Sequence, residues 1–553
     1  MRLGLAVFCV VVFGSLAWSA RAQVPDAVKV AERTIDAEKI RAHVRFLSDD
    51  LLEGRGPGLR GSELAAKYIA TQFALDGLKP AGDNGTYFQQ IKFFGMTVKR
   101  DASTMALVPK QGAAIAMAFG PDYVVNNPRH TPVVDIDAPI VFVGYGVTAP
   151  EFGWDDYAGI DVKGKVVLII VGDPPSDDPK FFSGKALTYY GRWTYKYEQA
   201  ARMGAIGALI IHRTDLASYG WGVVEHSGSG EKTFLAEDTM PVVAAAAWIQ
   251  HDVADKLFAA SSLPDTDAEI AAAGKRGFKA IELPVRLKAH IESVVRPYES
   301  ANVVGIVPGA DAGKDQAVIY TAHYDHLGFV PGMKGDNIYN GAADNATGCG
   351  ILMELARVWA NSGLKPPHSV IFASVTAEEQ GLLGSEYLGQ HPPIPAGQIA
   401  LDLNYDDIQP FGDPLEVAVT GAERTNFYPE VQATAKRFGM SIVPDAHPEA
   451  GHYYRSDHFS LARVGVPSFS INEGTLFAGH DAAWGLAKED DYVAHRYHNF
   501  SDNYTPDMDF ASNAKLAKFG MELGWEAISA KKTVGWNKGD EFEAARTKSL
   551  GRN

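Results

Sequence analysis

The 553-residue sequence predicts an α/β protein: a mixed, mostly parallel sheet flanked by helices, with a β-rich insert interrupting it. Three observations carry that prediction. From Asp315 onward, apolar runs of strand length alternate with helix-length segments, the pattern of a sheet with helical crossovers. Between about Ala138 and Ala301 the chain instead shows short β-rich runs punctuated by Gly and Pro. Ahead of both, Thr34 to Leu75 repeats its apolar residues at helical spacing. A chain this long exceeds what one hydrophobic core serves, so more than one module is expected.

The elements follow in chain order. Residues 1–22 read as an export leader: Arg2 supplies the positive start, Leu3 to Leu16 is almost wholly apolar, and Ala20-Arg21-Ala22 offers small residues at a cleavage site before Gln23. That apolar run is shorter than the roughly 20 residues a spanning helix needs, and no later segment looks transmembrane. No stable membrane span is expected after leader removal, and the product belongs in a periplasm or outside the cell. Cys9 falls in the leader, so the mature chain keeps only Cys349 and forms no internal disulfide.

Residues 23–129 are read as the first part of the main domain. In them Ile40, Val44 and Leu47, then Leu64, Tyr68, Ile69 and Phe73, recur around a polar Ser48-Asp49-Asp50 break. The insert is set at 130–295. It holds β-rich runs at Pro139 to Gly146 and Val162 to Val171, a helix at Tyr197 to Gly207, and a buried strand at Ala208 to His212. The main domain resumes over 296–553. Strands are expected at Ala317 to Ala322, Ser369 to Val375, Ile399 to Leu403 and Val466 to Ile471, and helices at Gly348 to Ala360 and from Gly384 to Leu388.

Composition excludes some functions. Hydrophobic residues at 46% and charged residues at 21% indicate a packed globular chain rather than a disordered one. A formal charge of −16 with no long basic run leaves nothing to neutralise a phosphate backbone, so no nucleic-acid partner is expected.

Ligands of open α/β sheets collect beyond the carboxyl ends of the strands, and here that edge is rich in metal-binding side chains. His323 and Asp325 follow the first strand in Thr-Ala-His-Tyr-Asp-His-Leu-Gly, and alternation puts both on one side, where the carboxylate can fix the imidazole tautomer. Asp344 stands at the mouth of a helix between small residues. Glu378 and Glu379 follow the second strand as neighbours, so one can bind metal while the other faces water. Asp406 and Asp407 follow the third, and Tyr497-His498 arrives near the C-terminus. Taken singly, the His is more often structural, the Asp an N-cap, and the Glu pair solvated surface. Together they form an ordered set of imidazoles and carboxylates, which suits zinc; cobalt and manganese suit the same donors. Two His and three carboxylates exceed the needs of one catalytic zinc and fit two ions sharing a carboxylate.

The motifs His323-Tyr-Asp325, the Asp344-Asn loop, Glu378-Glu379, Asn404-Tyr-Asp406, Arg455-Ser-Asp-His458 and Tyr497-His498 together resemble the co-catalytic zinc exopeptidases of metallopeptidase family twenty-eight. That group includes secreted bacterial aminopeptidases, plasma glutamate carboxypeptidase and the transferrin receptor. The insert is similar to the protease-associated domain of many members. The resemblance implies the zinc-dependent exopeptidase fold and two zinc ions per chain. Asp344 bridges them, with His323 and Asp406 on one and Glu379 and His498 on the other. It further implies Glu378 as general base, Asp325 as partner of His323, and Tyr497 as oxyanion donor. Asp407 stands where the family has an apolar residue, so Asp406 and Asp407 stay alternatives, with Asp402 a distant third; the Asn-x-Asp pattern favours Asp406. His495 competes with His498, and His326 adds an imidazole beside His323; either can support a ligand instead of binding.

The expected function is an exported aminopeptidase that removes N-terminal residues from peptide substrates by metal-activated water. The alternative is a carboxypeptidase acting on acidic C-terminal residues, for which Arg455 is the cation near a motif. An inactive, receptor-like binding protein would show missing ligands, and here every ligand position and the base are filled.

Overall fold

Strand Ala317–His323 is buried along its whole length because both of its faces are covered. Val318, Tyr320 and Ala322 enter one core while Ala317 and Ile319 enter another, the period-two alternation of a strand sandwiched between helical layers. Strand Val370–Val375 divides its side chains the same way, with Val370 and Phe372 on the first side and Ile371, Ala373 and Val375 on the second. In the computed structural model, which describes residues 24–551 except 218, 229, 238–240, 311–315 and 446, these two strands pair in parallel. Ile399–Asn404 and Ser468–Ser470 extend the parallel row. The last residues of strand Ile281–Val307 close it antiparallel. The expected leader, residues 1–22, lies outside the described residues.

Helices cover both faces. Gly348–Asn361, nearly all buried, packs on one face with Ala37–Leu47 and Ala511–Ile528. Leu388 of helix Leu383–Gln390 and Leu461 of helix His458–Arg463 close the other. Helix Ala511–Ile528 approaches the sheet through Gly520 and Gly524. A Cβ at Gly524 would stand 2.0 Å from the Tyr320 hydroxyl, and one at Gly520 would stand 1.7 Å from that of Tyr405. The mixed α/β sheet flanked by helices is thus the architecture observed. The strand expected at Val466 to Ile471 narrows to Ser468–Ser470. The helical Thr34 to Leu75 segment comprises Ala37–Leu47 and Arg60–Leu75, with the polar break forming the turn Asp50–Arg55.

A second sheet is built on the first half of Ile281–Val307. Val133–Phe142, Val166–Ile170, Gly207–Ile211, Ala245–Ile249 and Tyr123–Asn126 follow in that order, and Thr104–Pro109 and Ile115–Met117 join it. Phe142, Leu168, Leu209, Leu257 and Leu287 belong to its separate core. Residues 104–126 therefore pair within this sheet although they precede the insert start set at 130. The 295/296 boundary falls inside the long strand, where Ser293 to Val303 pairs residue for residue with Val98 to Phe88. Composition marks where runs become strongly apolar, whereas pairing depends on partners remote in sequence. Among the described residues no helix is long and apolar enough to cross a membrane.

Candidate metal centre

The carboxyl edge of the parallel strands brings the expected ligands together. His323 is the last residue of its strand, and its Nε2 lies 2.9 Å from Asp406 Oδ1 and 3.3 Å from Asp344 Oδ1. The other oxygen of Asp344 faces the opposite way: His498 Nε2 is 3.2 Å from Asp344 Oδ2 and 3.2 Å from Glu379 Oε2. Asp344 thus stands between two sets of donors, one with His323 and Asp406 and one with Glu379 and His498. His326 joins the second set, with Nδ1 2.6 Å from Glu379 Oε1. Motif spacing suggested at most a supporting role for that imidazole.

Neighbouring groups hold these side chains in place. Asp325 Oδ1 accepts the Glu378 backbone N–H at 3.1 Å, and Oδ2 accepts that of Glu379 at 3.4 Å. The same carboxylate stands 3.9 Å from His323 Nδ1, which instead meets the Asp325 backbone carbonyl at 3.2 Å. Asp325 therefore ties the Glu-Glu turn to the His323 loop. Asp502, which no motif pointed to, accepts the backbone N–H groups of Ala343 and Asp344 at 3.1 Å each. Buried Arg55 donates to the carbonyls of Tyr324, Asn340 and Gly341, fixing both ligand loops from the N-terminal segment.

The open alternatives separate by position. Asp406 faces His323 and accepts from the Ser456 hydroxyl. Asp407 accepts from the Gln409 amide at 2.7 Å, and Asp402 from the Thr321 hydroxyl at 2.9 Å. His495 pairs with Asp491 at the surface, away from the cluster. The Tyr497 ring stacks on His498 with centroids 4.0 Å apart.

The electrostatics ask for positive charge. Burial alone would raise the pKa of Asp344, yet His326, His323 and His498 hold its carboxyl well below the usual range. Burial likewise opposes charge on His498, but Glu379 and Asp344 lift it to about 9. Burial, with the charges of Asp406, Glu379 and Asp457, pushes Glu378 well above the usual carboxylate range against the pull of His323. Glu379 Oε1 and both nitrogens of His326 are buried without a hydrogen-bond partner among the described residues. Donors that approach one another yet bond to nothing suit a shared cation. Nitrogen and carboxylate donors with no thiolate fit zinc.

Comparison with known proteins bears on the same segment. Residues 302–519 match Peptidase family M28. All of the candidate metal donors above fall in this matched segment. A probable zinc metalloprotease of Pyrenophora tritici-repentis is 31% identical over 269 residues, 43% of this chain and 59% of that protein. One from Pyricularia oryzae is 32% identical over 119 residues, 22% of this chain and 23% of that protein. The chain thus spans less than two thirds of these relatives. Among solved structures, an aminopeptidase from Aneurinibacillus sp. aligns over 90% of this chain and 96% of its own, with a TM-score of 0.48 and 19% identity.

Proposed function

We propose that this protein is an exported two-zinc exopeptidase, specifically an aminopeptidase. The observation that carries the reading is Asp344, one carboxylate with a donor set at each of its oxygens inside the M28 segment. Zinc would be held by His323, Asp344 and Asp406 on one side and by Asp344, Glu379 and His498 on the other. When bound, the ions supply Lewis acidity to the scissile carbonyl and lower the pKa of water at the site. The chain's own residues do the rest. Glu378, whose Oε2 stands 4.0 Å from His323 Nε2, accepts a proton from the attacking water and returns it to the leaving amine. Tyr497, its ring fixed against His498, donates to the developing oxyanion.

Export rests on the leader of residues 1–22, and the second sheet is read as a protease-associated domain. One observation favours a second reading, a carboxypeptidase for acidic C-terminal residues. Arg455 adjoins Ser456, which bonds Asp406, and its charge, after burial, helps hold Arg192 down to about 10. Aminoacyl chromogenic substrates beside their N-acetylated forms separate the two: an aminopeptidase cleaves only the free amines. Chelation is expected to abolish turnover and two equivalents of zinc per chain to restore it. One equivalent in the fully active enzyme would overturn the two-zinc reading.

A further inference from the structure

His326 is the imidazole at this centre that the motifs gave at most a supporting part and that the proposed ligand sets leave out. It is fully buried, and neither ring nitrogen has a hydrogen-bond partner among the described residues. Burying a polar group without a hydrogen bond is costly, so an imidazole that stands at ion-pair distance from Glu379 yet completes no hydrogen bond calls for a ligand. Its Nδ1 is 2.6 Å from Glu379 Oε1 and 3.9 Å from Asp344 Oδ2. The His498 ring lies 5.8 Å away, centroid to centroid, with its Nε2 at 3.2 Å from each of the same two carboxylates. On the Glu379 side the ligand atoms of Asp344, Glu379 and His326 lie within 4.8 Å of one another, and His498 reaches the same two carboxylates, meeting Glu379 through its other oxygen. On the other side His323, Asp344 and Asp406 form a set of three.

Zinc takes four protein donors in closed, structural sites and three with one position left open in catalytic ones. By that rule the two sides are unlike. We infer that His326 is a zinc ligand, which closes the Glu379 side with four protein donors and leaves the open position to the His323 side, beside Glu378. The inference rests on the two-zinc reading above. Its consequence is unequal affinity, with the closed side filling first and keeping its ion under mild chelation.

The test loads the metal-stripped full chain with one equivalent of Zn2+ and counts imidazoles on the bound ion by X-ray absorption, beside a Co2+ titration followed in the visible. The wild type should show two imidazoles on the first ion and two separate cobalt steps, the first giving the more intense four-coordinate band. His326→Gln supplies an amide that can hydrogen-bond Glu379. It should lose one imidazole from the count, weaken the first step at least tenfold and lose the intense band. Asp406→Asn should leave the first step intact and weaken the second. One imidazole on the first ion in the wild type overturns the inference even if no variant folds. A His326→Gln protein with an unchanged count and cobalt spectrum also overturns it, reducing His326 to a support for Glu379. Two ions bound alike, with one imidazole each, would overturn this inference alone, whereas a chain that binds no metal would overturn the zinc reading with it.

Discussion

Glu378 and Glu379 share a turn, and both of their N–H groups are held by Asp325, yet their carboxylates serve different ends. Glu379 reaches His498 and His326, whereas Glu378 approaches only the His323 side. Glu378→Gln keeps volume and polarity but removes the proton acceptor, so turnover should fall about 10²-fold or more while zinc content holds. Glu379→Gln replaces a charged ligand with a neutral amide and should lose zinc along with activity, partly recovered by excess ion. Metal content and turnover measured on the same samples check this, and the reverse pattern would exchange the two roles. Away from the site, His43 hydrogen-bonds Tyr68 at 2.9 Å. Burial, then Lys39 and Arg357, holds its imidazole down to about 4 from an ordinary 6.5. Between those values the unfolded chain binds the proton and the folded chain does not. Stability from this residue is therefore full above pH 6.5 and declines as pH falls toward 4. Unfolding temperatures across that window should drop less steeply in His43→Gln than in the wild type; parallel slopes would remove His43 from the account.

At the scale of elements, the site depends on how closely helix Ala511–Ile528 lies against the sheet that presents His323. Tyr320 donates its hydroxyl to the Gly520 carbonyl at 3.0 Å, and the missing side chain at Gly524 makes room for that hydroxyl. Gly524→Ala overpacks a rigid contact and is expected to cost about 1–3 kcal/mol. Tyr320→Phe alone forfeits a buried hydrogen bond worth about 1 kcal/mol. The double variant should be less destabilised than the sum of the two, because the atom that the new methyl meets has gone. Urea unfolding of the four proteins reads this directly. Strict additivity would mean that the helix shifts instead.

For the whole molecule, two cores share a single strand. Ile281–Val307 belongs to the second sheet at one end and the parallel-strand sheet at the other, and Phe88–Val98 pairs along the stretch between. The insert set at 130–295 places a module boundary at 295/296, where limited proteolysis would release a fragment. Continuous pairing there predicts the opposite, resistance to cleavage from about Ser293 to Val303. Mass spectrometry of early digestion products decides the matter, and a dominant cut near 295 would mean that the strand opens readily. Zinc binds only the folded chain in this scheme, so chelation should also lower the unfolding temperature, reversibly on adding zinc back.

The sequence by itself determined the α/β alternation, because buried parallel strands must be continuous apolar runs and their ends must turn polar. His323, Asp344, Glu379 and Asp406 were legible as candidate donors for the same reason: each follows an apolar run or opens a helix, where ligands of such sheets collect, whereas His498 was legible only through its motif. Only the tertiary structure decided what depends on through-space approach. Asp406 rather than Asp407 faces His323, His495 is left at the surface, and Asp325 holds a turn about fifty residues downstream through its carboxylate. Asp502 and Arg55 act on backbone groups remote in the chain, so no local pattern announces them. His326 carries the same lesson. Spacing placed it beside a ligand, but only the folding of Glu379 and Asp344 onto it gives that ring its donors as neighbours.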